Sequence, residues 1–204
     1  MPDRLILFGG SFNPVHFGHL INARSAAELL DADRVVLIPS LNPPHKRDVE
    51  MPPAEVRLEM LRLAVKDDPL FEASDAEIRR GGTSFTYDTV LHFRRERGDA
   101  IELVWLIGAD TLPELATWHR TEDLVRLCRM VTLRRPGWEM PDLNALRRRV
   151  GEEVVNQLTV DIIRTPRIDI SATDIRSRAR QGKSLRYLVP DQVARFVHEQ
   201  RLYR

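Results

Sequence analysis

Apolar positions in this chain fall into short unbroken runs that alternate with stretches of helical spacing. Residues 4–8 form one such run, closed by Gly9 and Gly10, and read as a buried strand. The next stretch, up to Phe17, carries Gly, Ser, Asn and Pro and reads as a loop. From residue 18 to residue 30 the spacing is helical. A second buried strand at residues 35–38 is stopped by Pro39. Residues 40–53 are polar and Pro-rich, a loop long enough to act as a lid or binding loop, and they are expected to close over a ligand. Helical spacing returns over Ala54–Val65, through Val56, Leu58, Met60, Leu61, Leu63, Ala64 and Val65. The alternation then continues with an extended segment at 71–79, a helix over Thr86–Arg97 and a strongly apolar strand at 101–107 that ends at Gly108. Short helical pieces at 110–118 and 122–127 follow, then a strand at 130–133 closed by Arg-Arg-Pro-Gly. A surface helix over 143–158, interrupted by Gly151, precedes a strand at 160–163 and helices at 173–180 and 191–200. Strands alternating with helices from end to end predict an α/β fold, with a doubly wound, mainly parallel sheet and helices on both faces. One domain over 1–204 is expected, with about residues 170–204 packing as a C-terminal helical extension.

The bulk numbers remove several function classes. The chain has 204 residues, enough to bury a sizeable core. Lys and Arg total 31 against 30 Asp and Glu, a formal net charge of +1, so no global basic field draws the protein onto nucleic acid. The single cysteine, Cys128, excludes an intrachain disulfide and sits in the apolar-rich run Leu127-Cys128-Arg129-Met130-Val131, where it reads as a small core residue. No apolar run approaches the roughly 18 residues needed to span a bilayer. The first residues lack the charged start, apolar stretch and cleavage site of a signal peptide. The expected location is the cytoplasm, with no membrane or nucleic-acid partner; the oligomeric state is left open.

Two segments carry chemistry. The first is residues 9–19, Gly-Gly-Ser-Phe-Asn-Pro-Val-His-Phe-Gly-His. A strand that runs through a Gly-containing loop into a helix start is a docking place for phosphate, because loop amides and the helix N-terminus present partial positive charge. In doubly wound sheets such sites lie at the carboxyl ends of the strands. The loop matches neither the dinucleotide fingerprint nor a Walker loop. It offers instead His16 and His19, three residues apart on one helix face, each able to donate an N–H to a phosphate oxygen. Gly18 between them leaves room for a phosphate at the backbone. Taken alone the pair also suits a zinc site or plain surface histidines, although no third ligand of matching pattern accompanies it.

The second segment, Ile170-Ser171-Ala172-Thr173-Asp174-Ile175-Arg176, opens a helix. Ser171 and Asp174 have capping-box spacing, with Asp in place of the usual Glu or Gln. A capped helix start is an anion site too, and Arg176 on its first turn can fork onto phosphate. More than 150 residues separate the two segments, yet both suit one triphosphate.

Together they resemble the HxGH nucleotidyltransferase superfamily. The first segment follows its Gly-x-Phe-x-Pro-x-His-x-Gly-His form and the second its ISxTxIR motif, with Ala172 where Ser is frequent, so that a side-chain contact from that position is not expected. Three further strings stand between them. Asn42-Pro43-Pro44-His45-Lys46 places a flexible cation in the long loop. Ser84-Phe85-Thr86-Tyr87-Asp88-Thr89 offers hydroxyls and amides at a helix start, where Thr86 and Asp88 are also plausible caps. Ile107-Gly108-Ala109-Asp110-Thr111-Leu112 sets a carboxylate just past a buried strand, within reach of a ribose hydroxyl, and Trp118 beyond it offers a face for a flat ring. In this order the strings are similar to the bacterial nicotinate-nucleotide adenylyltransferases, and the resemblance runs from Leu5 to the last helix.

That resemblance implies a Rossmann-like fold and transfer of AMP from ATP to nicotinate mononucleotide, with Mg²⁺ travelling on ATP and no covalent enzyme intermediate. It places His19 at the α-phosphate, with His16 at the same phosphates or positioning them. Lys46 and Arg176 would hold the leaving pyrophosphate. Gly9, Gly10, Ser11, Phe12, Gly108, Asp110, Ser171 and Thr173 would line the ATP site. Ser84, Thr86 and Trp118, with Lys46, would receive the acceptor. His119 is given no role, and His92 and His198 read as surface or structural. The same chemistry on nicotinamide mononucleotide or on phosphopantetheine, and a nucleotide-sensing regulator, are the alternatives.

Overall fold

A computed structural model of the chain describes residues 3–44, 50–134 and 137–204. Six strands form one parallel sheet among these residues: β1 (Arg4–Gly10), β2 (Arg34–Pro39), β3 (Phe71–Ala73), β4 (Glu102–Gly108), β5 (Arg129–Arg134) and β6 (Ile162–Arg164). Their spatial order, β3-β2-β1-β4-β5-β6, is that of the doubly wound Rossmann type, with the switch point between β1 and β4. The expected fold class stands.

Strand side chains alternate strictly between two apolar layers. Ile6, Val35, Leu37, Val104, Leu106, Val131 and Leu133 face one layer. Leu5, Leu7, Val36, Ile38, Leu103, Trp105, Ile107 and Met130 face the other. Both faces are covered, which is why these strands read as continuous apolar runs rather than alternating ones. Helices α1 (Phe17–Leu30) and α2 (Ala54–Val65) cover the first face, together with the C-terminal α8 (Ala172–Arg180) and α9 (Asp191–Glu199). Helices α3 (Ala76–Arg80), α4 (Thr86–Arg97), α5 (Thr121–Leu127), α6 (Asn144–Val150) and α7 (Glu152–Val160) lie with a 3₁₀ segment, Ala109–Thr117, on the second. The predicted C-terminal extension thus joins the β1 side, where Ile175, Val189, Val193 and Val197 share a cluster with Ile6 and Val104.

Two expected elements differ. The extended segment at 71–79 is a strand only to Ala73. The Ser74 hydroxyl then accepts from the Ala76 amide at 3.2 Å and turns the chain into the five-residue α3, too short to show a helical period. The strand placed at 160–163 begins at Ile162, because Val160 ends α7. Between them Asp161, 2% exposed, is pinned by Arg129 through Nε (3.0 Å) and Nη2 (2.6 Å). Cys128 is the small core residue expected, 7% exposed, and burial pushes its thiol up to about 12. No helix among the described residues is long and apolar enough to cross a membrane.

At the switch point the Trp105 indole of β4 fills the space beside the end of β1, so a side chain there would be crowded. A Cβ on Gly9 would stand 2.5 Å from Trp105 Cζ2 on the neighbouring strand. Gly9→Ala is therefore expected to cost about 1–3 kcal/mol through overpacking. Thermal unfolding reads this as a lower Tm; an unchanged Tm would show that the indole yields freely.

Candidate active site

The carboxyl ends of β1, β2 and β4 converge where doubly wound sheets hold their ligands. The turn after β1 is shaped from behind. Gly10 carbonyl accepts from the Ser40 amide (2.9 Å) and hydroxyl (3.3 Å), and Ser11 carbonyl accepts from Arg57 Nη1 (2.8 Å). In a trans peptide the N–H points opposite the C=O, so the Ser11 and Phe12 amides are turned away from those partners. Phe12 holds the turn with a left-handed backbone (φ 43°) and a ring buried to 2% exposure.

His16 is the N-cap of α1, and with His19 it forms a capping box built from two imidazoles. The rings stack at 3.7 Å, and His19 packs edge-on against Phe12 at 5.1 Å and Phe8 at 6.1 Å. His16 amide donates to His19 Nδ1 at 3.3 Å. An amide can only donate, so Nδ1 is the bare nitrogen and Nε2 carries the proton of the neutral ring. At Gly18 a Cβ would lie 3.0 Å from His16 Nδ1, so the glycine also makes room for that imidazole.

Arg176 brings the second segment to the first across 163 residues, since its Nη1 donates to Asn13 carbonyl at 2.9 Å. Its Nη2 donates to Thr173 Oγ1 at 3.2 Å. Ser171 caps α8 as expected, accepting from the Asp174 amide at 3.1 Å and donating its hydroxyl proton to Asp174 Oδ2 at 2.8 Å. The starts of α1 and α8 thus flank one turn. Gly108 ends β4, and Asp110 stands exposed on the first turn of the 3₁₀ segment beyond it.

Ser84, Thr86 and Trp118 form a separate group. Ser84 braces the loop after β2: its hydroxyl accepts from the Asn42 amide (3.0 Å) and its amide donates to Asn42 carbonyl (3.0 Å). Helix α4 is capped by Phe85 without a side-chain bond, so the expected cap from Thr86 or Asp88 is not made. Trp118 ends the 3₁₀ segment, half-buried on the second layer. The Phe85 ring, next to Thr86 in the chain, stacks at 4.4 Å on His119, next to Trp118. Lys46, and with it the central part of the loop expected to close, lies outside the described residues.

Two residues of the site were not found in the sequence. Arg57 is 1% exposed and donates to three main-chain carbonyls; burial pushes its guanidinium down from the usual range, opposed by the charges of Tyr203, Glu55 and Glu77. Its signal was a charge three and four residues before Met60 and Leu61, on the buried face of α2. Tyr203, near the end of the chain, has its hydroxyl buried with no hydrogen-bond partner among the described residues. Burial raises its phenol, and nearby Arg176 and Arg57 oppose that rise.

Comparison with known proteins agrees with this geometry. The cytidylyltransferase-like family model matches residues 7–178. A Moorella thermoacetica protein named "Probable nicotinate-nucleotide adenylyltransferase" is 38% identical over 203 residues, 100% of this chain and 93% of its own. A Symbiobacterium thermophilum protein of the same name is 38% identical over 200 residues, covering 98% and 95%. Among solved structures, Plasmodium falciparum nicotinic acid mononucleotide adenylyltransferase complexed with NaAD shares the fold, with a TM-score of 0.76 at 15% identity over 98% of this chain and 97% of that one. The chain belongs to the cytidylyltransferase-like family, among its nicotinate-nucleotide adenylyltransferases.

Proposed function

We propose that the protein transfers AMP from ATP to nicotinate mononucleotide, releasing pyrophosphate and forming deamido-NAD, a step of NAD biosynthesis. The observation that carries this reading is the Arg176–Asn13 bond, which sets two anion-binding helix starts around one turn. An acceptor phosphate oxygen attacks the α-phosphorus in line. The new P–O bond forms as the bond to the α,β-bridging oxygen breaks, and its electron pair leaves on pyrophosphate. Such transfer needs alignment and charge neutralisation rather than a covalent intermediate.

His19 Nε2–H is the donor to the α-phosphate, held in that tautomer by the His16 amide. His16 stacks against it and keeps its plane. The turn at Gly10, Ser11 and Phe12 presents its amides to the nucleotide, with Gly9 closing the sheet beneath. Arg176, with Thr173 and the Ser171-capped start of α8, receives the β- and γ-phosphates, and Lys46 joins it from the loop. Gly108 and Asp110 face the ribose. Thr86 and Trp118 hold the pyridine ring and its carboxylate, on a wall that Ser84 stiffens. Mg²⁺ enters as part of the MgATP substrate, bound by phosphate oxygens.

Pyrophosphate release tests the reading. With ATP present, nicotinate mononucleotide should support release with kcat/KM at least about tenfold above nicotinamide mononucleotide, because donors aimed at a carboxylate match the amide poorly. Equal values would leave the acceptor assignment without support, and no release with either would sink the reaction itself.

A further inference from the structure

Arg57 is a cation taken almost wholly out of water, and among the described residues no carboxylate pairs with it by a salt bridge. Its three bonds go to carbonyls of three different segments. Nη1 reaches Ser11 after β1 (2.8 Å), Nη2 reaches Ser40 after β2 (2.7 Å) and Nε reaches Pro52 ahead of α2 (3.0 Å). Burying a guanidinium without a direct ion pair is costly even with Glu55 and Glu77 acting on it from farther off, and a well-packed apolar side chain would serve a merely structural core position at least as well. What an apolar side chain cannot do is fix the direction of three carbonyls at once, a task that suits the planar fork of arginine and no other side chain.

Those carbonyls govern the site from behind. Holding Ser11 carbonyl turns the Phe12 amide the other way, and among the described residues that amide has no hydrogen-bond partner. Holding Ser40 fixes the residue whose own amide and hydroxyl orient Gly10 carbonyl, and hence the Ser11 amide. Ser40 and Pro52 also flank the loop that carries Lys46 and ends at α2. Glu77 steadies the same junction, its Oε2 accepting from the Leu41 amide at 3.4 Å. One buried side chain thus sets both the amides facing the nucleotide and the two feet of the loop opposite.

We propose that Arg57 is a positioning residue for adenylyl transfer, aligning the turn after β1 with the loop between β2 and α2. The proposal rests on the function proposed above. It predicts a loss in kcat with little change in KM, because misaimed donors fail at the transition state while most ground-state contacts persist.

The test compares wild type, Arg57→Met and Arg57→Lys for kcat, KM of both substrates and thermal unfolding. Arg57→Lys keeps the charge and stem and cannot serve three carbonyls, so it guards against simple loss of folding. Both variants should fold cooperatively and lose about 10²-fold in kcat, the scale expected of a small misplacement, with each KM within about threefold. Arg57→Lys should recover less than a tenth of the wild-type rate. The proposal is overturned if either folded variant keeps kcat within about threefold of wild type, if the loss resides in KM, if activity merely tracks the folded fraction, or if neither variant folds. Failure of wild type itself to release pyrophosphate would refute the underlying reaction instead, so the two failures are distinct.

Discussion

Replacing His19 with alanine lowers kcat by about 10²–10³-fold, the effect of removing one preorganised donor from a site of developing negative charge. The size follows from how firmly the donor is held. His19 is fixed by a bond from the His16 amide to Nδ1 at 3.3 Å, by the stack on His16 at 3.7 Å and by edge contacts with Phe12 and Phe8. Little reorganisation is needed as the α-phosphate gains charge, so the whole interaction is available to the transition state. The ring also packs, and alanine removes that packing with the donor. Two amide substitutions separate the effects. Glutamine carries its N–H near the position of Nε2, whereas asparagine reaches only to that of Nδ1. His19→Gln should therefore retain more activity than His19→Asn at similar Tm. Equal activities, or an alanine variant within about tenfold of wild type, would remove His19 from the reaction.

The parts legible in the sequence are those that local patterning determines. Strands buried on both faces write themselves as runs such as Leu103 to Ile107, and a strand, Gly-rich turn and helix start in succession mark where β1 ends. What escaped depends on distant contacts. Gly9 reads as lining the ATP site, and the local pattern does not show that Trp105, 96 positions on, also excludes a side chain there. Ser84 reads as a ligand hydroxyl, and only the fold adds that it also braces Asn42. Arg57 reads as one more charge on a helix of mixed composition, and only the fold reveals that three carbonyls from separate segments meet at its guanidinium. Tyr203 lies at the far end of the chain, with no local pattern to connect it to Arg57 and Arg176. Capping, by contrast, is local, and Ser171 could be read directly.

Replacing Arg176 with alanine lowers kcat/KM for ATP by about 10- to 150-fold, the span of one charge-assisted hydrogen bond of about 1.5–3 kcal/mol. The guanidinium spends one Nη1 donor on Asn13 carbonyl and one Nη2 donor on Thr173 Oγ1, and so stands fixed with further donors for phosphate. Lysine offers a point charge that cannot keep both anchors and still face an oxygen, so Arg176→Lys should recover only part of the loss. Because Arg176 and His19 act on one triphosphate, their effects should not multiply: the double alanine variant should lose less than the product of the single losses. The anchor also predicts a structural consequence. Without Arg176 the bond to Asn13 is gone, and the turn between β1 and α1 loses its link to α8. Amide hydrogen exchange in residues 11–16 should then accelerate in the Arg176→Ala protein and less so in Arg176→Lys. Unchanged exchange together with fully multiplicative kinetics would mean that the two helix starts work independently, and that their meeting at Asn13 has no part in holding the nucleotide.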